Sequence, residues 1–216
     1  MKYWTGLFMV ASIMLTACGG ESGSNETETK KENLKLDSES CSYTIDPASV
    51  SVDWTAFKFT ERTGVGGTFD SVSVVANGTK ENPAQLLNDA QLSIYTSSVN
   101  SNNADRDKKI GNRFFGNLTD GEMMQGEVVA MNEEENLVEV RLTMNGKQQI
   151  VTMDYEIDGL SLTLKGSVDL AEWEATAAVD SLNAVCYELH KGEDGVSKLW
   201  NDVDITVKAL LEKKCN

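Results

Sequence analysis

The stretch from Val138 to Leu164 constrains the fold more than any other part of the chain. Val138, Val140, Leu142 and Met144 alternate with polar neighbours as far as Asn145-Gly146. Val151, Met153, Tyr155 and Ile157 resume the alternation up to Asp158-Gly159, and Leu160, Leu162 and Leu164 carry it on. A period of two places every apolar side chain on one face of a pleated strand. Asn-Gly and Asp-Gly enter the left-handed backbone region readily, which makes them hairpin turns. Strands joined in this way pair antiparallel. The same signature recurs at Val50, Val52, Trp54 and Ala56, at Ala90, Leu92 and Ile94, at Val128-Val129, and at Val203, Ile205, Val207 and Ala209. Phe57 and Phe59 switch face, which predicts a bulge or a strand buried on both sides. Gly64-Val65-Gly66-Gly67 reads as a turn before Phe69, Val72 and Val74. The chain holds only two prolines, so long strands are permitted. A run of such pairs closes into a barrel and removes its own edges.

Two helical segments interrupt the strands. Residues 103–115 are short and charged. In residues 172–191, Ala178, Leu182, Val185, Cys186 and Leu189 fall at helical spacing, and Gly192 serves as the stop. Residues 41–216 contain no second linker and read as one domain, large enough to bury roughly 70% of its unfolded surface. Three of its cysteines are Cys41, Cys186 and Cys215. A Cys41–Cys215 bridge would staple the domain's ends and leave Cys186 a buried thiol; Cys41–Cys186 competes with it.

Ahead of the domain, Lys2 precedes an apolar run from Leu7 to Ala17 that has signal-peptide length. It ends in Leu15-Thr16-Ala17-Cys18, which resembles a bacterial lipobox. That resemblance implies removal of residues 1–17 and acylation of Cys18 with chains such as palmitate, several of which together give stable anchoring. A plain secretory signal with a chance cysteine is the alternative. Gly19, rather than Asp, favours passage to the outer membrane, facing either the periplasm or the cell surface. Residues 19–40, rich in Gly, Ser, Glu, Asn and Lys, cannot offset their ordering entropy by burial. Together with Cys18 they form a flexible tether at 18–40, about 25 Å long as a coil. A net charge of −15 argues against a nucleic-acid partner and against adhesion to anionic headgroups. It fits plain solubility better than a cationic partner.

Several motifs then fall in order along residues 41–170. Tyr43-Thr44-Ile45-Asp46-Pro47 leads into Ser49-Val50-Ser51-Val52, and Gly66-Gly67-Thr68-Phe69 follows. Ser97-Ser98-Val99-Asn100 precedes Asp105-Arg106-Asp107-Lys108-Lys109-Ile110 and Phe114-Phe115, and Leu142-Thr143-Met144-Asn145-Gly146 comes later. In this series the chain resembles the YceI-like family of exported lipid-binding proteins. The C-terminal part departs from it: in place of the short N-R-x-x-[FY]-G stretch of many members stand DLAEWEA, the helical segment and LHKGEDGVSKLW.

The resemblance implies a mainly β fold, an eight-stranded antiparallel lipocalin-like barrel with one or two helices. It further implies an apolar tunnel that binds a polyisoprenoid or similar long-chain amphiphile, such as an isoprenoid quinone, for transport, storage or sequestration. The expected lining is Val52, Trp54, Phe57, Phe69, Leu92, Ile94, Phe114, Phe115, Val140, Leu142, Val151, Met153, Tyr155 and Leu162. Phe114 and Phe115 could equally be core plugs. Arg106 either ties its short helix to strand ends through hydrogen bonds or meets the ligand's head at the mouth. A filled barrel with a structural or interaction role is the alternative function, and a dimer is left open.

The residues offer little to an enzyme. The single histidine, His190, would need Glu193 and Asp194 to form a site, and it reads better as a helix-terminal residue. Cys186 lies one helical turn away, but no third orienting group accompanies the pair. No zinc spacing, phosphate loop or nucleophile elbow occurs. The expectation is a binding protein without catalysis, metal or cofactor beyond its bound lipid.

Overall fold

The structure, a computed structural model, describes residues 40–216. The leader, Cys18 and the tether lie outside the described residues. The strands are β1 (Cys41–Ile45), β2 (Ser51–Lys58), β3 (Thr63–Phe69), β4 (Val72–Val75), β5 (Gln91–Tyr95), β6 (Val99–Asn100), β7 (Met123–Asn132), β8 (Leu137–Met144), β9 (Lys147–Asp158), β10 (Ser161–Asp169) and β11 (Leu199–Cys215). The α-helices are α1 (Ala104–Lys109) and α2 (Thr176–Val185).

One antiparallel sheet runs in the order β4-β5-β7-β8-β9-β10-β11-β2-β3-β6, with β1 added on β11. β3 and β4 are two arms of one bent segment, and β5 and β6 are two arms of another. The arms pair as Phe69↔Val99 and Val72↔Ile94, so the sheet curls round and meets itself at this corner. Backbone hydrogen bonds cross the bend, from Asp70 N to Ser98 O at 3.0 Å and from Tyr95 N to Ser71 O at 3.1 Å. With each bent segment counted once, the ring has the expected eight strands.

The hairpins form where the turn residues place them. Asn145 and Gly146 both have positive φ, at 52° and 67°, between Met144 and its partner Lys147. The glycine run, in contrast, is not a turn: Gly64 to Gly67 lie inside β3, and the chain reverses at residues 59–62, where Phe59 and Arg62 have positive φ. The glycines are needed for space. A Cβ on Gly67 would stand 2.5 Å from Trp54 Cζ2 and 2.5 Å from the Asn100 carbonyl oxygen. The bulge expected near Phe57 lies instead on the facing strand, between Leu199 and Val203 of β11.

The two ends of the ring differ. One is stapled by the Cys41–Cys215 disulfide and plugged by a tight turn at Pro83–Leu87 that buries Ala84, Leu86 and Leu87. Closing a loop of this length in the unfolded chain is worth a few kcal/mol, on the order of 2–5. The other end is covered by α1 and its continuation through Phe115–Asn117, by a turn at Leu170–Trp173, and by α2. Trp173 is fully buried; its indole N–H donates to Leu142 O at 3.1 Å, and the Asn145 amide donates to Trp173 O at 2.8 Å.

The single helix expected over 172–191 is therefore broken. Trp173 sinks into the core, Glu174 turns the chain with a φ of 53°, and α2 spans only Thr176–Val185. It stops at the buried Cys186, before Gly192, and a short turn at Tyr187–Leu189 follows. Val185 and Leu189 are exposed, so of the expected stripe Ala178, Leu182 and Cys186 remain covered, joined by the buried Val179.

Gly67→Ala is expected to destabilise the protein by about 1–3 kcal/mol through overpacking against Trp54. Calorimetry should show a drop of roughly 2–4 °C in melting midpoint per kcal/mol. Gly111→Ala, with nothing within 4 Å of the added carbon, is the control and should melt like wild type.

Candidate functional site

The barrel interior contains two apolar voids stacked along its axis. The upper, about 180 Å³, is lined by Val52, Trp54, Phe69, Ile94, Phe114, Phe115 and Leu142 among the expected residues. Met124, Met144, Leu182, Leu199 and Ile205 complete much of its wall. The lower, about 90 Å³, is lined by Leu92, Val140, Met153 and Leu162, with Leu87 towards the plugged end. No residue lines both. Strand alternation accounts for the division, because Ile94 and Leu92, Leu142 and Val140, and Ile205 and Val207 are successive inward positions on their strands.

Three expected lining residues fall elsewhere. Val151 and Tyr155 point inward and are buried, yet they pack in the core and line neither void. Phe57 lies on the face opposite Val52 and Trp54, at the rim, with the Arg62 guanidinium 4.3 Å from its ring centre. Phe114 and Phe115 are both core and wall: they pack edge-on at 5.0 Å, Phe115 meets Phe69 at 6.0 Å, and both line the upper void.

At the helix-covered end a groove of about 510 Å³ opens between α1, α2 and the ends of β2 and β11. Trp54, Ala56, Ile110, Leu182 and Leu199 line both this groove and the upper void, so the two adjoin. The groove's volume lies within the roughly 300–1,000 Å³ usual for small-molecule sites, and the upper void alone is smaller.

The rim of the groove is cationic. Lys58 at the end of β2, Arg106 and Lys109 on α1, and His190 all line it, with Asp105 the one carboxylate. Arg106 does not tie α1 to the strands. Asp107 does so by accepting from Ser101 N at 2.8 Å and Ser101 Oγ at 2.5 Å, while Asn103 caps α1 at Arg106 N. The Lys58 ammonium donates to Leu189 O at 3.2 Å. His190 Nδ1 is 2.9 Å from Asn183 Oδ1, which also accepts from Ser197 Oγ, so Nδ1 carries the hydrogen. Burial, then the charges of Lys58 and Lys109, lower the His190 pKa to about 4. Thr60 Oγ1 and Val196 N hydrogen-bond to Asp194, hold its carboxyl below the ordinary range and fix the 190–198 hairpin beside the groove.

Cys186 lines the same groove, but His190 is engaged with Asn183 rather than with the thiol. Glu193 and Asp194 do not line the groove. Among the described residues, no three His, Cys, Asp or Glu side chains converge to hold a metal ion. Lys58 and Lys109 escaped the sequence reading because nothing local marks them; their only signals are positions at a strand end and in a last helical turn.

A family model described as the YceI-like domain matches residues 43–210. No curated protein matches. Among solved structures, a polyisoprenoid-binding domain from Saccharophagus degradans, implicated in plant cell wall breakdown, superposes with a TM-score of 0.55 at 15% identity. That match covers 80% of this chain and 98% of the other. BcnA of Burkholderia cenocepacia gives 0.49 at 16% identity, covering 78% and 99%. The Campylobacter jejuni YCEI protein gives 0.49 at 15%, covering 73% and 90%.

His190 is the chain's one histidine, so its imidazole signal needs no assignment. Proton NMR should place its titration near pH 4 and show the midpoint rising in Lys58→Gln. The unfolded chain binds the proton more readily, so the neutral imidazole's contribution to stability is complete above about 6.5. It is lost progressively as pH falls towards 4. A midpoint near 6.5 in the wild type would show the imidazole to be solvated.

Proposed function

The chain belongs to the YceI-like family, and from that premise we propose that it is a non-catalytic binding protein for a polyisoprenoid or similar long-chain amphiphile, such as an isoprenoid quinone. The tail enters through the groove and lies in the barrel interior. The observation that carries this reading is the adjoining of an apolar void and an open groove through five shared wall residues. The name of the Saccharophagus degradans domain supports polyisoprenoid as the ligand class. In the same reading Cys18 is acylated and holds the protein at the bacterial outer membrane, and its task is to carry, store or sequester the lipid.

Volume decides how the tail is held. The upper void, at about 180 Å³, falls below the roughly 300–1,000 Å³ usual for small-molecule sites, so it holds only part of a long tail. The rest must occupy the groove or displace wall residues. Met124 and Met144, with flexible unbranched side chains, are the wall residues most able to yield. The small void is also what a filled barrel would show, and tail length separates the two readings.

Binding across geraniol, farnesol and geranylgeraniol, with the hydroxyl head constant, should tighten with length at up to about 0.8 kcal/mol per buried CH₂ and then level off. A flat response would favour the filled barrel, as would an organic extract of the natively produced protein that lacks stoichiometric prenyl lipid. For the anchor, Cys18→Ser should move the protein from the membrane fraction to the soluble envelope fraction. Wild-type membrane recovery of that variant would remove the acyl anchor from the proposal.

A further inference from the structure

Resting on the tail-binding reading above, we propose that the mouth selects amphiphiles with an anionic head, a phosphate or a carboxylate, and that Lys58, Arg106 and Lys109 read that charge. The chain as a whole is strongly acidic, with 34 Asp and Glu against 19 Lys and Arg. Among the described residues, five of fifteen cations form ion pairs, at Arg62, Arg141, Lys147, Lys191 and Lys208. None forms at Lys58, Arg106 or Lys109, although all three are half-buried and line one groove. Three cations without carboxylate partners, gathered from two elements at the entrance to an apolar cavity, are costly to the empty protein and complementary to an anion.

The chemistry of the groups fits such a head. Among the described residues the Arg106 guanidinium has no hydrogen-bond partner, and it can present a two-pronged donor face, which matches phosphate or carboxylate oxygens. Lys58 and Lys109 supply point charges from the other strand end and from the same helix. A low-dielectric wall of Trp54, Ala56 and Leu199 behind them strengthens each interaction relative to water. Asp105 opposes the anion but is exposed, so solvent screens it more than it screens the half-buried cations. An uncharged head would leave the three cations as they are.

His190 reports on the head. With its Nδ1–H given to Asn183, its other ring nitrogen has no hydrogen-bond partner among the described residues, and Lys58 and Lys109 disfavour its protonation. The other charged groups near it in the fold are Arg106 and Asp105 on the groove, Glu188 in the preceding turn, and Lys191, Glu193, Asp194 and Lys198 on its own hairpin. An anion seated among the cations offsets their effect and moves the histidine midpoint upward.

The test compares tail-matched pairs that differ only in the head, farnesyl phosphate against farnesol and palmitate against 1-hexadecanol. The full exported chain carrying Cys18→Ser is titrated calorimetrically below the micelle concentration of each probe. Farnesyl phosphate should bind at least tenfold more tightly than farnesol, with the preference shrinking as salt is raised. Lys58→Gln, Arg106→Gln and Lys109→Gln combined should abolish the preference of farnesyl phosphate over farnesol. A preference shown by both pairs means that any anion suffices, and one confined to a single pair identifies phosphate or carboxylate as the head. In the unmutated groove, the His190 midpoint should rise with farnesyl phosphate and stay in place with farnesol, a readout independent of the variant's folding. Equal affinity within both pairs would overturn the anionic-head proposal while leaving tail binding intact. Failure of all four probes to bind would overturn the tail-binding reading itself. A full preference retained in the triple variant would overturn the assignment to these three residues.

Discussion

Every feature of this protein depends on the sheet meeting itself at the bent pair of segments that form β3–β4 and β5–β6. An antiparallel sheet with one apolar face has two needs, to cover that face and to satisfy its edge strands. Curling round to close meets both, and it turns the apolar face into an interior. The corner has tight steric demands. Trp54 lies across β3 and donates its indole N–H to Thr68 O at 3.2 Å, and Gly67 leaves the room that the ring occupies. A side chain at that position would push the indole inward, into the upper void that Trp54 also lines. The requirement for closure and the shape of the cavity thus meet in one residue pair.

The cationic rim follows from where the helices are placed. α1 is held by Asp107 and Asn103, both of which satisfy backbone or hydroxyl donors at residues 101–106. That arrangement leaves Arg106 and Lys109, together with Asp105, on the groove, while Lys108 is exposed away from it. Lys58 joins them because β2 ends at the same height, and the hairpin at 190–198 brings His190 against it. Withdrawal from water and the two ammonium groups lower the affinity of the imidazole for a proton. The same surroundings raise the cost of leaving the cations without counter-charge.

Strands were legible because their signals are local. The alternation through Val138 to Met144, Val151 to Ile157 and Leu160 to Leu164, and the left-handed tolerance of Asn145-Gly146, are properties of adjacent residues. Gly64 to Gly67 were misread as a turn because the partner that demands small residues there, Trp54, is on another strand. The helix over 172–191 was drawn too long because Trp173 leaves the helical path to fill the core, and nothing beside it in sequence announces that. In the site, parity placed Val52, Trp54, Leu92, Ile94, Val140, Leu142 and Met153 on the inward face, where they border the two voids. It could not tell inward residues that pack tightly, such as Val151 and Tyr155, from those that border a void. The rim was least legible, since Lys58, Lys109 and His190 come from three separate elements, and only the fold makes them neighbours.

The two ends of the barrel divide the physical requirements between them. β11 joins the ends, running from Leu199 in the groove wall to Cys215 in the disulfide. At the Cys215 end, the covalent link to Cys41, the β1 pairing and the buried Leu86 and Leu87 put constraint where no ligand needs to pass. At the Leu199 end, the strand pairing with β2 slips between Leu199 and Val203, and the cover consists of short helices and tight turns. Short helical pieces hold fewer cooperative hydrogen bonds than long strands, so opening costs least there. A barrel stapled at one end and capped by short pieces at the other can open at its cover without loosening its ring.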